Sequence, residues 1–131
     1  MTVELTPRGT RGWESPRPLL LLNTLGAQSG KVRQTVLCWF PDGDHSDTSW
    51  LVVASAAGAA KHPAWYVNLA RHPDHVSIEI GGRQLTVEPE SLRGAERAEA
   101  WRQVVALAPG YAAYETKTDR EIPIVRLRTV P

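Results

Sequence analysis

Val76-Ser-Ile-Glu-Ile-Gly-Gly-Arg-Gln-Leu-Thr-Val87 decides the fold class of this chain. Val76, Ile78 and Ile80 alternate with Ser77 and Glu79, and Leu85 and Val87 alternate with Thr86 and Glu88. A period of two is that of a strand with one face buried and one face wet. Gly81-Gly82 between the two halves can take the positive φ that a two-residue hairpin turn demands of both central positions. The stretch therefore predicts an antiparallel hairpin, and with it a sheet built from hairpins and not from parallel crossovers.

Working towards the N-terminus, Pro63 at a first helical position opens a short helix through Arg71, with Trp65 and Leu69 four apart on its inner face and Pro73 beyond its end. Before it lie an apolar strand, Trp50 to Ala54, and the run Ser55-Ala-Ala-Gly-Ala-Ala60, in which no side chain is large enough to fill space. Val32 to Phe40 reads as a strand that stops at Pro41-Asp42-Gly43, and the polar turn Gly26-Ala-Gln-Ser-Gly30 joins it to Pro18–Thr24. Four consecutive leucines in that first strand predict a central position with both faces buried. Residues 1 to 17 carry Pro7, Gly9, Gly12 and Pro16 among charges, with Trp13 as the only large anchor, which predicts an extended arm.

Towards the C-terminus, Trp101, Val104, Val105 and Ala108 form a core-facing stripe on a helix from about Gly94 to Leu107, interrupted by Pro109-Gly110. Tyr111 and Tyr114, three apart, share one side of a further helical turn, and a last strand spans Ile122 to Leu127. The order β-β-β-α-β-β-α-α-β argues for an α+β domain: a compact barrel of about six mostly antiparallel strands with two or three helices packed against it.

The chain has 131 residues, enough for one hydrophobic core, so the expected plan is an arm at 1–17 and one domain at 18–131. Its 15 Lys and Arg balance 14 Asp and Glu with no run of like charge, which argues against nucleic acid as a partner. A single cysteine, Cys38, excludes an internal disulfide, and the four histidines show no ligand spacing, so no metal is expected. The start of the chain lacks the features of a secretory leader and the longest apolar run, Pro18 to Leu22, is far short of a membrane span. A cytoplasmic location is the expectation, with peripheral contact between an apolar face and a membrane as the only membrane role considered.

The segment Gly26-Ala-Gln-Ser-Gly30-Lys31 is not a phosphate-binding Walker loop, because Leu25 and Val32 stand where Gly and Ser or Thr are required. It remains a glycine-flanked turn with backbone N–H groups and Ser29, followed by Lys31 and Arg33 at strand spacing. On the spacing alone this suits an anion cradle or an ordinary hairpin turn with solvated cations. Cys38 reads as a buried thiol in an apolar strand. Tyr111 and Tyr114 read as the edge of a core or as a pair of phenols able to donate protons.

In this order, Leu19-Leu-Leu-Leu-Asn-Thr-Leu-Gly26, Ser29-Gly30-Lys31 with Arg33, Val53-Ala-Ser55, Gly58-Ala59, His62-Pro-Ala-Trp-Tyr66 with Asn68-Leu69, Pro109-Gly-Tyr111 with Tyr114, and Thr118-Asp-Arg120 before Ile122-Pro-Ile-Val125 form one pattern. It resembles the deazaflavin-dependent nitroreductases of actinobacteria over nearly the whole chain from residue 18. The resemblance implies a split β-barrel that binds coenzyme F420, an 8-hydroxy-5-deazaflavin with a phospholactyl-glutamate tail. It also implies hydride transfer to a quinone, nitroaromatic or other conjugated acceptor.

Position by position, the resemblance places Ala27, Gln28, Ser29 and Arg33, with Lys31, at the coenzyme's phosphate and tail. Thr35, Val36 and Cys38 fall on the strand lining the site, Ala54, Ser55 and Ala56 on the small-residue loop beside it, and Ala64, Trp65 and Asn68 at the start of the helix. Tyr111 and Tyr114 close the substrate pocket, and Ser55 or Tyr111 supplies a proton or hydrogen bond to the reduced acceptor. The chain departs from the family's common Gly-Arg-Lys-Ser-Gly by carrying Ala27 and Gln28, which removes two cations aimed at the anionic tail. Cys38 also stands where an aromatic is frequent, and Ala108 where another tyrosine can occur. These departures keep two rivals in view: a relative that uses FMN or no cofactor on a natural-product intermediate, and a non-enzymatic module for an apolar ligand. Monomer and homodimer are both compatible with the sequence.

Overall fold

A computed structural model describes residues 17–43, 45, 47–56, 59, 61–118 and 120–130. The expected arm lies, except for Arg17, outside the described residues. The strands are β1 (Leu19–Leu25), β2 (Val32–Cys38), β3 (Phe40–Pro41), β4 (Ser49–Val53), β5 (Ser77–Ile80), β6 (Arg83–Ser91) and β7 (Ile124–Thr129). The helices are α1 (Ala64–Arg71), α2 (Gly94–Leu107) and α3 (Tyr111–Lys117). The seven strands form one sheet in the order β2-β1-β5-β6-β7-β4-β3, with every neighbouring pair antiparallel. This is the expected α+β split β-barrel.

Two features bend the sheet into a barrel. Strand β6 pairs with β5 over Arg83–Thr86 and with β7 over Val87–Ser91, so it changes partner halfway along and turns a corner. Pro89 lies in the second half, where β6 has a ladder on the β7 side alone, the position in which a residue without N–H costs least. The outermost strands β2 and β3 are joined through the single residue Trp39, whose N–H donates to Pro18 O at 3.0 Å. The run expected as one strand from Val32 to Phe40 is therefore broken at Trp39, because Val32–Cys38 pairs with β1 and Phe40–Pro41 with β4. The wall closes at that end and opens at the other, where β2 begins.

The hairpin at Gly81-Gly82 is as expected, with φ of 57° and 80° at the two glycines. Strand β1 is central in its pairing, lying between β2 and β5, but its burial alternates: Leu20, Leu22 and Thr24 are buried, and Leu19, Leu21 and Asn23 are half-exposed. The expectation of two buried faces is corrected here, since α1 packs against the inner face of this wall and the outer face near Leu21 and Val36 is an open depression. The strand buried on both faces is β4. Trp50 and Val52 join the inner cluster with Leu20, Leu22 and the α1 residues Trp65 and Leu69, and Leu51 and Val53 join the outer cluster with Trp101 and Val104 of α2. Burying one such aliphatic side chain stabilises by about 1.5–3 kcal/mol, so α1 inside and α2 outside fix β4 from both directions.

Candidate active site

At the open end of the barrel the β1–β2 turn faces α1. The turn is tied by Gly26 N–H to Lys31 O at 2.8 Å and Gly30 N–H to Gly26 O at 2.9 Å, with Gly30 at φ 67°. A Cβ on Gly26 would come within 2.5 Å of Ser29 Oγ and 3.5 Å of Arg33 Nε, so glycine here lets the serine and the arginine close over the backbone. Asn68, buried on α1, spans the gap: Ala27 N–H donates to its Oδ1 at 2.9 Å and its Nδ2 donates to Thr24 Oγ1 at 3.3 Å.

Between these parts lies a cleft of about 620 Å³, within the range of small-molecule sites. Its floor and one wall are Gly26, Ala27, Gln28 and Ser29 with Arg33 and Thr35 of β2; the other wall is Ala64, Trp65, Val67 and Asn68 of α1. Pro63 precedes the helix in extended geometry, no side chain caps the helix start and no acidic residue stands in its first turn. An uncompensated helix N-terminus beside Arg33 makes the cleft favourable for an anion.

The remaining residues singled out in the sequence lie elsewhere. Lys31 is exposed just past the turn and is not part of the cleft wall. Val36 points to the opposite face of β2 from Arg33 and Thr35, beside Leu19, Leu21 and Ile80. Cys38, also on that opposite side, belongs to the outer cluster, where its Sγ lies 3.1 Å from the Tyr111 hydroxyl. Tyr111 stacks edge-on against Phe40 at 5.6 Å and Tyr114 at 5.2 Å. Burial, then the contact with Cys38, pushes the Tyr111 phenol well above its ordinary value, so it is held protonated.

Ala54 and Ser55 are buried just beyond β4, and Ala56 holds a left-handed backbone at φ 47°, uncommon for a residue with a Cβ. The organiser of this loop is Arg120. Its Nη1 donates to Ala54 O at 3.2 Å, its Nη2 to Ser55 O at 2.8 Å and its Nε to Ala59 O at 2.9 Å, and Nη1 meets His62 Nδ1 at 3.1 Å. In the sequence, Thr118-Asp119-Arg120 and His62 stand out only as parts of a pattern, with no role for Arg120 and none for His62 beyond the lack of metal-ligand spacing. Gln34 and Val67 in the cleft wall were not singled out either. Among the described residues no three His, Cys, Asp or Glu side chains are grouped to hold a metal ion. No helix of the described chain is long and apolar enough to cross a membrane.

The model of the F420H(2)-dependent quinone reductase family matches residues 5–129. An F420H(2)-dependent quinone reductase of Mycobacterium tuberculosis is 37% identical over 128 residues, covering 92% of this chain and 83% of the relative. The solved structure of an F420-H2 dependent reductase, FDR-A, aligns with a TM-score of 0.72 at 38% identity, covering 86% of this chain and 95% of that one. A second structure with the same TM-score and identity, covering 86% and 81%, is a domain-swapped dimer. A match running from residue 5 to residue 129 takes in the turn, the α1 wall and the Arg120 loop together, and the chain belongs to the F420H(2)-dependent quinone reductase family, whose members are oxidoreductases.

Proposed function

We propose that the cleft between the β1–β2 turn and α1 holds reduced F420 and that the chain delivers its hydride to a quinone, with a nitroaromatic or other conjugated acceptor as a second substrate class. The observation that carries the reading is the gathering of Ala27, Gln28, Ser29, Arg33, Thr35, Ala64, Trp65 and Asn68 around one cleft. The donor set suits the coenzyme. A guanidinium, turn N–H groups and an acid-free helix N-terminus face the space that a phosphate and carboxylates would take, and Trp65 and the small Ala64 leave room for a planar ring.

Bound there, the reduced deazaflavin supplies a two-electron hydride and no ready one-electron route. The chain's own residues bind and orient. Arg33, Ser29 and the backbone N–H groups of Gln28 and Ser29 hold the anionic tail, and Asn68, which takes the Ala27 N–H, fixes the turn against α1 so that tail and ring sites keep one separation. Ala54, Ser55 and Ala56 supply the small-residue loop beside the ring. Reduction of a quinone by hydride also consumes a proton, and Ser55 or Tyr111 supplies it or a hydrogen bond to the reduced oxygen; burial keeps Tyr111 a phenol and a weak acid, which suits the hydrogen bond better than full release of the proton. Tyr114 packs against Tyr111 and orients it. Because Ala27 and Gln28 replace an Arg-Lys pair, coenzyme affinity falls by about one or two decades relative to members that keep the pair.

The test is a titration of the purified protein with oxidised F420, followed by tryptophan fluorescence because Trp65 lines the cleft, and run beside FMN. Menadione reduction with reduced F420 is assayed in parallel. Saturation by micromolar F420 with turnover supports the reading. Saturation by FMN alone, or no F420 binding at hundreds of micromolar, replaces it with a member that has given up this coenzyme.

A further inference from the structure

The geometry points to Arg120 as the positioning residue of this site: its guanidinium pins both ends of the loop between β4 and α1 and thereby sets the helix N-terminus against the cleft. The inference rests on the proposed F420 site for its functional consequence, but the clamp itself is a statement about the loop. Beyond Val53 the chain leaves the sheet, and the carbonyls of Ala54, Ser55 and Ala59 all accept from this one side chain. A planar fork of five donors can serve three carbonyls and an imidazole at once; lysine, with a point charge, cannot. The left-handed Ala56 lies inside the clamped stretch, and such a backbone persists where its surroundings over-determine it.

The far end of the clamp is His62, two residues before Ala64 enters the cleft wall. Arginine only donates, so His62 Nδ1 must accept, and the imidazole is neutral with its proton on Nε2. Its ring leans on Tyr66 of α1, with centroids 4.8 Å apart. Among the described residues, the groups facing His62 are the Arg120 guanidinium and the Tyr66 phenol, with exposed Lys61 next in the chain. Protonating His62 removes the acceptor and sets two cations side by side; burial and Arg120 accordingly hold its pKa below the ordinary histidine value. The clamp is intact at neutral pH and loosens in acid.

Three variants test it: Arg120→Gln, Arg120→Lys and His62→Gln, each studied by amide hydrogen exchange over residues 54–66 and by F420 titration from pH 5 upward. Expected are exchange at least about tenfold faster in that segment for Arg120→Gln with β4 and β7 unchanged, and F420 binding at least roughly tenfold weaker, the worth of one charge-assisted hydrogen bond. Arg120→Lys behaves like the glutamine variant. Wild-type binding weakens in acid, and His62→Gln, which keeps a neutral acceptor, lacks that loss. Wild-type exchange in Arg120→Gln overturns the inference, as does faster exchange spread over the whole sheet, which marks support of the fold alone. If wild-type protein binds no F420, the proposed function fails while the exchange experiment still decides the clamp.

Discussion

Asn68 and Ala27 are joined across the mouth of the barrel by a 2.9 Å hydrogen bond, so the helix that forms one wall of the cleft is tied to the turn that forms the other. The same amide donates to the buried Thr24 hydroxyl. Both ends of Asn68 are therefore spent on structure, and it sets the width of the cleft.

Replacing Asn68 with Ala leaves the Ala27 N–H and the Thr24 hydroxyl without their partner. The expected loss is about 1–3 kcal/mol, the cost of unsatisfied buried groups, read as a lower urea midpoint at unchanged m-value. F420 affinity should fall as well. An unchanged midpoint would show that the bridge carries no stability in solution.

The turn can be tested by a double-mutant cycle. Gly26→Ala puts a methyl 2.5 Å from Ser29 Oγ, which the exposed serine relieves by turning away from the Lys31 N–H, so the loss is that of one hydrogen bond, about 1 kcal/mol. Ser29→Ala removes the clashing atom but also the acceptor of the Lys31 N–H at 3.2 Å. The double variant should be more stable than the sum of the two single losses predicts, by roughly 1 kcal/mol in urea unfolding. Strict additivity would mean that the turn opens to admit the methyl group.

Much of this architecture is legible in the sequence, and the reasons are local. Gly81-Gly82 between alternating strands, Pro63 before Trp65 and Leu69, and the stripe from Trp101 to Ala108 each specify an element through nearby residues alone. The leucine run misleads because four apolar residues read alike whether one face or both are covered, and coverage is decided by where α1 and α2 pack. The break at Trp39 depends on which neighbour each half of the run pairs with, which periodicity does not encode. At the site, the turn and the α1 wall are recognisable by pattern. The service of Arg120 to the carbonyls of Ala54, Ser55 and Ala59 has no such signature, since it joins positions more than sixty residues apart through backbone atoms that every residue carries.

Tyr111 offers a test of the acceptor side. Its phenol touches Cys38 and lies outside the cleft wall, so Tyr111→Phe should leave F420 affinity unchanged. If the phenol donates the proton, quinone turnover falls by about a hundredfold or more. Because the folded-state pKa is raised, the stability that this phenol contributes is fully present below pH 10 and declines as pH rises above 10 towards the folded value. Wild-type turnover in the phenylalanine variant would pass the role to Ser55.

Asp42 predicts the acid behaviour of the fold. Burial alone would raise its pKa, but the hydrogen bonds from Arg126 and Ser49 and the charge of Arg126 outweigh it, and the net shift is downward from 3.8. Arg126 Nε lies 2.7 Å from Asp42 Oδ2, and Arg126 also reaches Glu96 at 2.7 Å and Glu90 at 3.1 Å, locking the segment before β4 to β7 and α2. A depressed carboxyl contributes stability above its unfolded value and loses it as pH falls through the folded one, so this contribution disappears below about pH 4. Asp42→Asn should cost about 2–3 kcal/mol at pH 7 and should flatten the acid limb of the stability curve. A wild-type acid limb in the variant would place the titrating groups elsewhere.

Ala27 and Gln28 bring no charge to the turn that the proposed site gives to the anionic tail, and adding charge there separates two accounts of the cleft. Both residues line the wall beside Arg33, and Ala27 is already held in place through its backbone N–H on Asn68, so a longer side chain there changes charge without loosening the turn. Ala27→Arg with Gln28→Lys should tighten F420 binding by roughly tenfold for each charge-assisted hydrogen bond that the new side chains form. The effect should shrink as salt rises, because these hydrogen bonds are partly exposed. Binding of FMN, whose phosphate lacks the glutamate tail, should improve less. Equal tightening of both ligands would mean that only the phosphate is held at this turn. No tightening of either would mean that the anionic tail leaves the cleft along another path, with Arg33 serving the β1–β2 turn alone.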